Sequence, residues 1–146
     1  MLTMTRTARL VKSQDLNHHG TLFAGRIAEW FTESCFLAAS RWLGKPEDLV
    51  CVKIHGLTFS KPAHSGDTVE IVARPVRTGT KSVTVGAEVY VNDDANPAIR
   101  GFATFVTVDG DGKSYPHGLS LPAEWIEANR LLHDEAERLQ AERTRF

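Results

Sequence analysis

The sequence predicts an α+β domain: a curved antiparallel β-sheet wrapped around one long central α-helix, with an extra C-terminal helix. Three observations predict it. Between Ala24 and Leu43 the apolar side chains, among them Ile27, Trp30, Phe31, Cys35, Phe36 and Trp42, fall on nearly every side of a helical wheel, and a helix apolar all round belongs inside a protein. From Leu49 onward the apolar period drops to two, through successive runs separated by turn formers, as antiparallel strands require. A single sheet can bury such a helix only by curling around it.

The elements follow in order. Thr5 to Val11 reads as a short first strand, and Ser13 to Thr21 as a polar loop in which Asp15, Asn17 and Gly20 favour turns. His18 and His19 add two titratable rings just before the helix. The helix stops at Leu43-Gly44-Lys45-Pro46, where glycine takes the left-handed cap and proline blocks continuation. Its Arg26, Glu29, Glu33 and Arg41 mark it as a core helix and not a membrane span.

From Leu49, Val50, Val52 and Ile54 alternate with Cys51, Lys53 and His55 until Gly56 shifts the phase to Leu57 and Phe59, which predicts a bulge. A connection over Lys61–Asp67 leads to a strand at Thr68–Val76, and Arg77 to Lys81 is a hairpin turn. Val83, Val85, Ala87, Val89 and Val91 alternate cleanly in the next strand, Asn92 to Pro97 turns the chain, and Ile99 to Val108 is the last strand. These runs are expected to form a four-strand meander. Asp109-Gly110-Asp111-Gly112 lacks the ligand spacing and closing glutamate of a calcium loop and reads as a strand-ending turn. A second helix is expected from Pro122 to Arg143, its stripe Trp125, Ala128, Leu132, Ala136 and Leu139 lying on a surface or between subunits.

The 146 residues carry no internal repeat or long linker and make one domain, with a core over about 5–110 and the C-terminal helix over about 122–143. A net charge of -1 gives no electrostatic reason to expect nucleic acid or an anionic membrane. Cys35 and Cys51 read as reduced, buried thiols, and the interrupted N-terminus does not resemble a signal peptide, so the cytoplasm is the expected compartment. No metal site is expected, because the adjacent His18 and His19 have no third ligand. Apolar faces of the central helix that one sheet cannot cover predict a partner subunit.

The run Asp15-Leu16-Asn17-His18-His19-Gly20-Thr21-Leu22-Phe23-Ala24-Gly25-Arg26 resembles the hot-dog-fold acyl-CoA thioesterases, in the branch where Asp-x-Asn-x-x-Gly-x-x-Phe-Gly-Gly opens the central helix. Ser60-Lys61-Pro62 and Gly66-Asp67-Thr68-Val69-Glu70 extend the likeness. The resemblance implies a dimer with two helices side by side under a continuous sheet, often assembled into tetramers or hexamers. It further implies a site at the subunit interface, where a loop asparagine, matched by Asn17, faces a helix carboxylate of the other protomer. Here Thr32 stands where many relatives hold Asp or Glu, the acid Glu33 comes one residue later, and Ala24 replaces the first glycine of the usual pair.

Thioester hydrolysis needs an activated water and donors for the developing oxyanion. The helix N-terminus offers unpaired N–H groups and about half a positive charge. On this reading the Gly25 amide polarises the thioester carbonyl, Asn17 orients water or substrate, and Glu33, among Phe31, Cys35, Phe36 and Leu37, acts as base. Thr32 could donate its hydroxyl to a water, or bond back to its own helix, and His19 could hydrogen-bond the substrate. Lys61 and the hairpin residues Arg77, Thr78, Thr80, Lys81 and Ser82 are candidates for the phosphates of coenzyme A. The expected activity is hydrolysis of an acyl-CoA to a carboxylic acid and coenzyme A, without metal or prosthetic group. The alternatives are an acyl-CoA binding or sensing protein of the same fold and, matched poorly by Asp15 with His18 or His19, a dehydratase.

Overall fold

The computed structural model describes residues 1–141. Five strands, β1 (Thr5–Leu10), β2 (Leu49–Phe59), β3 (Thr68–Thr78), β4 (Ser82–Val91) and β5 (Ile99–Thr107), form one antiparallel sheet. The central helix α1 spans Ala24–Leu43, with Gly44 in the left-handed conformation as its C-cap. Ile27, Phe31, Cys35 and Ala38 of α1 pack on the inward-facing Val69, Ile71, Val85, Ala87 and Val89, so the alternation in the strands and the helical stripe meet in one core.

The strand order is β1-β3-β4-β5-β2. The expected four-strand meander is therefore a three-strand one, β3-β4-β5, and β2 lies at the far edge on β5. The chain has to cross the sheet end between β2 and β3, and residues 60–67 do this, held where the Ser60 amide donates to the Ala98 carbonyl at 2.9 Å. Sequence pattern identifies strands but carries no record of which neighbours they choose. The bulge expected at Gly56 is present: the register skips between His55 and Thr58, with Gly56 at φ 61°. A second bulge beside Val52 had no signal in the sequence.

The C-terminal segment forms two helices, α2 (Ala123–Ala128) and α3 (Arg130–Ala141), broken at Asn129. The predicted end at Arg143 lies outside the described residues. Of the two expected settings, the surface one is seen: α3 covers the outer face of its own sheet, with Leu132 and Ala136 buried against Val76 and Phe102. A register shift between Pro75 and Arg77 leaves two carbonyls to receive it. The Trp125 indole N–H donates to the Pro75 carbonyl at 2.8 Å, and the His133 ring nitrogen lies 2.7 Å from the Val76 carbonyl.

Also on that outer face, Glu88 sits between Arg74 and Arg100, each at 3.2 Å, and the Arg74 side chain is only 8 % exposed. Removing one partner of a buried ion pair strands the other charge away from water. Glu88→Ala is expected to destabilise the fold by about 3 kcal/mol. Urea unfolding followed by circular dichroism checks this, and a loss below about 1 kcal/mol would mean that water reaches Arg74 freely.

Along β2, Val50, Val52 and Ile54 are 47 %, 57 % and 45 % exposed. Cys35 is buried and burial pushes its thiol up, as expected of a core residue. Cys51, expected inside, is exposed on this edge strand, because β2 has no strand on its other side. No helix of the described residues is long and apolar enough to cross a membrane.

Candidate active site

The loop before α1 is built around one side chain. Asn17 Oδ1 accepts from the His19 amide at 2.9 Å and from the Thr21 amide and hydroxyl at 3.2 Å, while Nδ2 lies 2.9 Å from Thr21 Oγ1. A short amide in such a turn replaces bonds the backbone cannot make for itself. Asp15 anchors the start of the loop. Its carboxylate is buried, accepts the Lys12 amide at 2.9 Å and pairs with Arg26 of α1 at 3.3 Å, and its carbonyl accepts the Phe23 amide at 2.8 Å. Sequence reasoning treated Asp15 as a turn former. Its burial depends on α1 folding back over the loop, which no local pattern announces.

The helix therefore begins in a fixed orientation. The Arg26 and Ile27 amides bond the Phe23 carbonyl, whereas the amides of Ala24 and Gly25 have no acceptor among the described residues. Phe23 lies over Gly25 so closely that a Cβ at that position would meet the ring at 2.6 Å. Two unspent N–H groups at the positive end of a 20-residue helix form a donor site for developing negative charge.

A cavity of about 430 Å³ opens beside this helix end. Asn17, Thr21, Ser60 and Lys61 provide its polar lining, and the buried Ile27, Ala63, Val89, Ala98 and Ile99 provide an apolar floor. Lys61 reaches Asp94 and, at 3.3 Å, the Asn96 carbonyl, tying the β2–β3 crossing to the β4–β5 turn at the cavity edge.

The other predicted residues are dispersed. Glu33, expected in apolar company, is 53 % exposed and bonded to Arg9 of β1 at 2.5 Å. One residue on a helix turns a side chain by about 100°, which carries Glu33 to the β1 margin while Thr32 faces elsewhere. The Thr32 hydroxyl donates to the Ala28 carbonyl at 2.8 Å. Glu29, noted in the sequence only as a neighbour of Glu33, is exposed and forms no ion pair or side-chain hydrogen bond among the described residues. It lies one turn after Gly25 and one turn before Glu33 on the same helix face, in a shallow surface pocket shared with Arg9 of β1 and with Arg26. His19 meets Asn17 through its backbone, and its ring lies beside that of His18, centroids 4.1 Å apart.

Of the six residues expected to meet coenzyme A, only Lys61 borders the cavity. Arg77 pairs with Glu137 at 3.3 Å, the carbonyls of Thr80 and Lys81 receive the amides of His117 and Thr107, and Lys81 reaches Ser114. Thr78 and Ser82 close the hairpin in the same place. Successive turns of a meander fall at alternate ends of the sheet. The β3–β4 hairpin thus lies a full strand, roughly 30 Å, from the cavity within one chain.

Residues 19–98 match the model of the thioesterase superfamily. The chain belongs to that superfamily. It is 34 % identical over 115 residues to the acyl-CoA thioester hydrolase YciA of Salmonella typhimurium, covering 73 % of this chain and 84 % of the relative. Among solved structures, the acyl-CoA hydrolase of Staphylococcus aureus, determined with butyryl coenzyme A, coenzyme A and coenzyme A disulfide, superposes with a TM-score of 0.73 at 26 % identity, over 94 % of this chain and 90 % of that one. The hexameric thioesterase y2039 of Yersinia pestis gives 0.70 at 29 % identity, over 80 % and 93 %. The topology of this thioesterase domain, one long helix within a five-stranded antiparallel sheet, is thus the hot-dog fold expected from the loop motif.

Proposed function

We propose that this thioesterase hydrolyses acyl-CoA thioesters, releasing a carboxylic acid and free coenzyme A. The observation that carries the reading is the start of α1, where the amides of Ala24 and Gly25 are unbonded among the described residues and Ala24 lines a cavity with a polar rim and an apolar floor. The acyl chain occupies the floor, and the carbonyl oxygen gathers negative charge at those amides as water adds to the carbon. The tetrahedral intermediate then collapses by breaking the carbon–sulfur bond, and the thiolate takes up a proton. A donor of this kind contributes about 10²- to 10³-fold in rate. Asn17 holds the loop in shape and borders the cavity, where it can orient the water or substrate.

The water needs a base. We assign it to Glu29, an exposed carboxylate one turn after Gly25 that forms no ion pair or side-chain hydrogen bond among the described residues. Glu33, one turn further along the same face, is engaged by Arg9. The apolar, unpartnered β2 edge supports assembly of at least a dimer through that edge, and the hexameric relative makes a larger assembly reasonable. Lys61 is the cation placed to meet a coenzyme A phosphate, and the hairpin residues Arg77 to Ser82 would serve only from a neighbouring copy. The absence of a disulfide between Cys35 and Cys51 suits a reducing cytoplasm.

One observation favours a second reading, an acyl-CoA binding or sensing protein: Thr32 stands in the position of the family's helix carboxylate with its hydroxyl spent on its own helix. Thiol release measured with a thiol-reactive dye across an acyl-CoA series separates the two. Turnover supports hydrolysis, whereas binding of acyl-CoA without thiol release overturns it in favour of the sensor.

A further inference from the structure

The cavity floor has a chemistry of its own, and the inference drawn from it rests on the reading that this cavity receives the acyl group. The buried lining residues Ile27, Ala63, Val89, Ala98 and Ile99 are all apolar, and the polar lining residues lie toward the exposed side. A hydroxyl or carboxylate carried to that floor would lose water and find no side-chain partner. Two of the five are held from different elements. Val89 projects inward from β4 within the same alternation as Val83, Val85 and Ala87. Ala63 is 3 % exposed and fixed by its backbone, following Pro62 and accepting the Leu22 amide at 2.8 Å. Neither can move aside without breaking the sheet or the loop that starts α1.

We propose that Ala63 and Val89 are specificity-determining residues that fix the length of a wholly apolar, aliphatic acyl chain, and that acyl groups with a polar far end are rejected. Each buried methylene favours binding by roughly fourfold, so discrimination between chain lengths accumulates until the floor is reached. Adding methyl groups at Ala63 shortens the accepted chain, and removing them at Val89 lengthens it. Opposite shifts from two positions are a signature that general loosening of the core would not give.

The test uses the full chain and straight-chain acyl-CoAs from two to sixteen carbons, together with hydroxybenzoyl-CoA and succinyl-CoA. Expected results are a single length optimum for the unaltered protein, at least tenfold weaker use of the two polar acyl groups, a shift of at least two carbons downward in Ala63→Val and a shift upward in Val89→Ala. Circular dichroism verifies folding, and Ala63→Ser and Val89→Thr serve where the first variants fail to fold. Serine is expected to leave the length optimum unchanged while improving acceptance of a hydroxylated chain. Threonine keeps the branched shape of valine and is expected to do the same. If no acyl-CoA releases thiol, the hydrolase reading fails by itself, and the same length shifts are then read from dissociation constants by calorimetry. An unchanged length optimum in both Ala63→Val and Val89→Ala, in whichever readout applies, overturns the inference, as does equal use of succinyl-CoA and its apolar counterpart.

Discussion

Replacing Asn17 with alanine is expected to lower the rate of thiol release by about 10²- to 10³-fold while changing KM far less. The side chain satisfies the His19 and Thr21 amides and the Thr21 hydroxyl, so alanine leaves those donors without their acceptor and frees the loop to change shape. The same loop sets where α1 begins, through the pairing of Thr21 with His64 and of the Leu22 amide with the Ala63 carbonyl. A shift of its N-terminus by a fraction of an ångström takes the Ala24 and Gly25 amides away from the oxyanion, an interaction made mainly in the transition state. Asn17→Asp keeps the acceptor oxygen and loses the donor, so it should preserve the fold yet recover only part of the rate. Steady-state kinetics on both variants decides the matter. A normal kcat with a raised KM would make Asn17 a binding residue.

Glu29→Gln is the second large effect, a fall of about 10²-fold or more in kcat, because glutamine keeps the shape and removes the capacity to accept a proton. Glu33→Gln loses the contact with Arg9, and since both partners are about half exposed that pair is worth no more than about 1 kcal/mol of stability. Its turnover is expected to fall by less than about fivefold. The reverse ranking of the two variants would return the role of base to Glu33. If the base serves the neighbouring copy's loop, mixing inactive Asn17→Ala and Glu29→Gln proteins should restore activity through hybrids in which one site is intact. Subunit exchange demonstrated by mass spectrometry without any recovered activity would place the site within a single chain.

How far the sequence could be read differs by residue. The bounds of α1, the cap at Gly44 and the bulge at Gly56 were legible because each rests on local sterics and short-range periodicity. The Asn17 loop was legible too, since its hydrogen bonds join residues at most four apart. The coenzyme A set was only partly so: six basic and hydroxyl residues looked like one group along the chain, yet turns at opposite ends of a sheet cannot meet in one molecule. Cys51 was read as buried from its apolar neighbours, and it is exposed because edge position depends on strand order and not on composition.

By itself the sequence determined the elements, the buried helix, the asparagine-centred loop before it and, through the motif that loop carries, the superfamily. All of these follow from interactions between residues near one another along the chain. Tertiary structure alone decided that β2 crosses to the far edge, that α3 lies on its own sheet, that Asp15 is buried and that Glu33 turns to Arg9. Those outcomes depend on which surfaces meet after the chain has folded, and burial energy is indifferent to how far apart in sequence the two surfaces began.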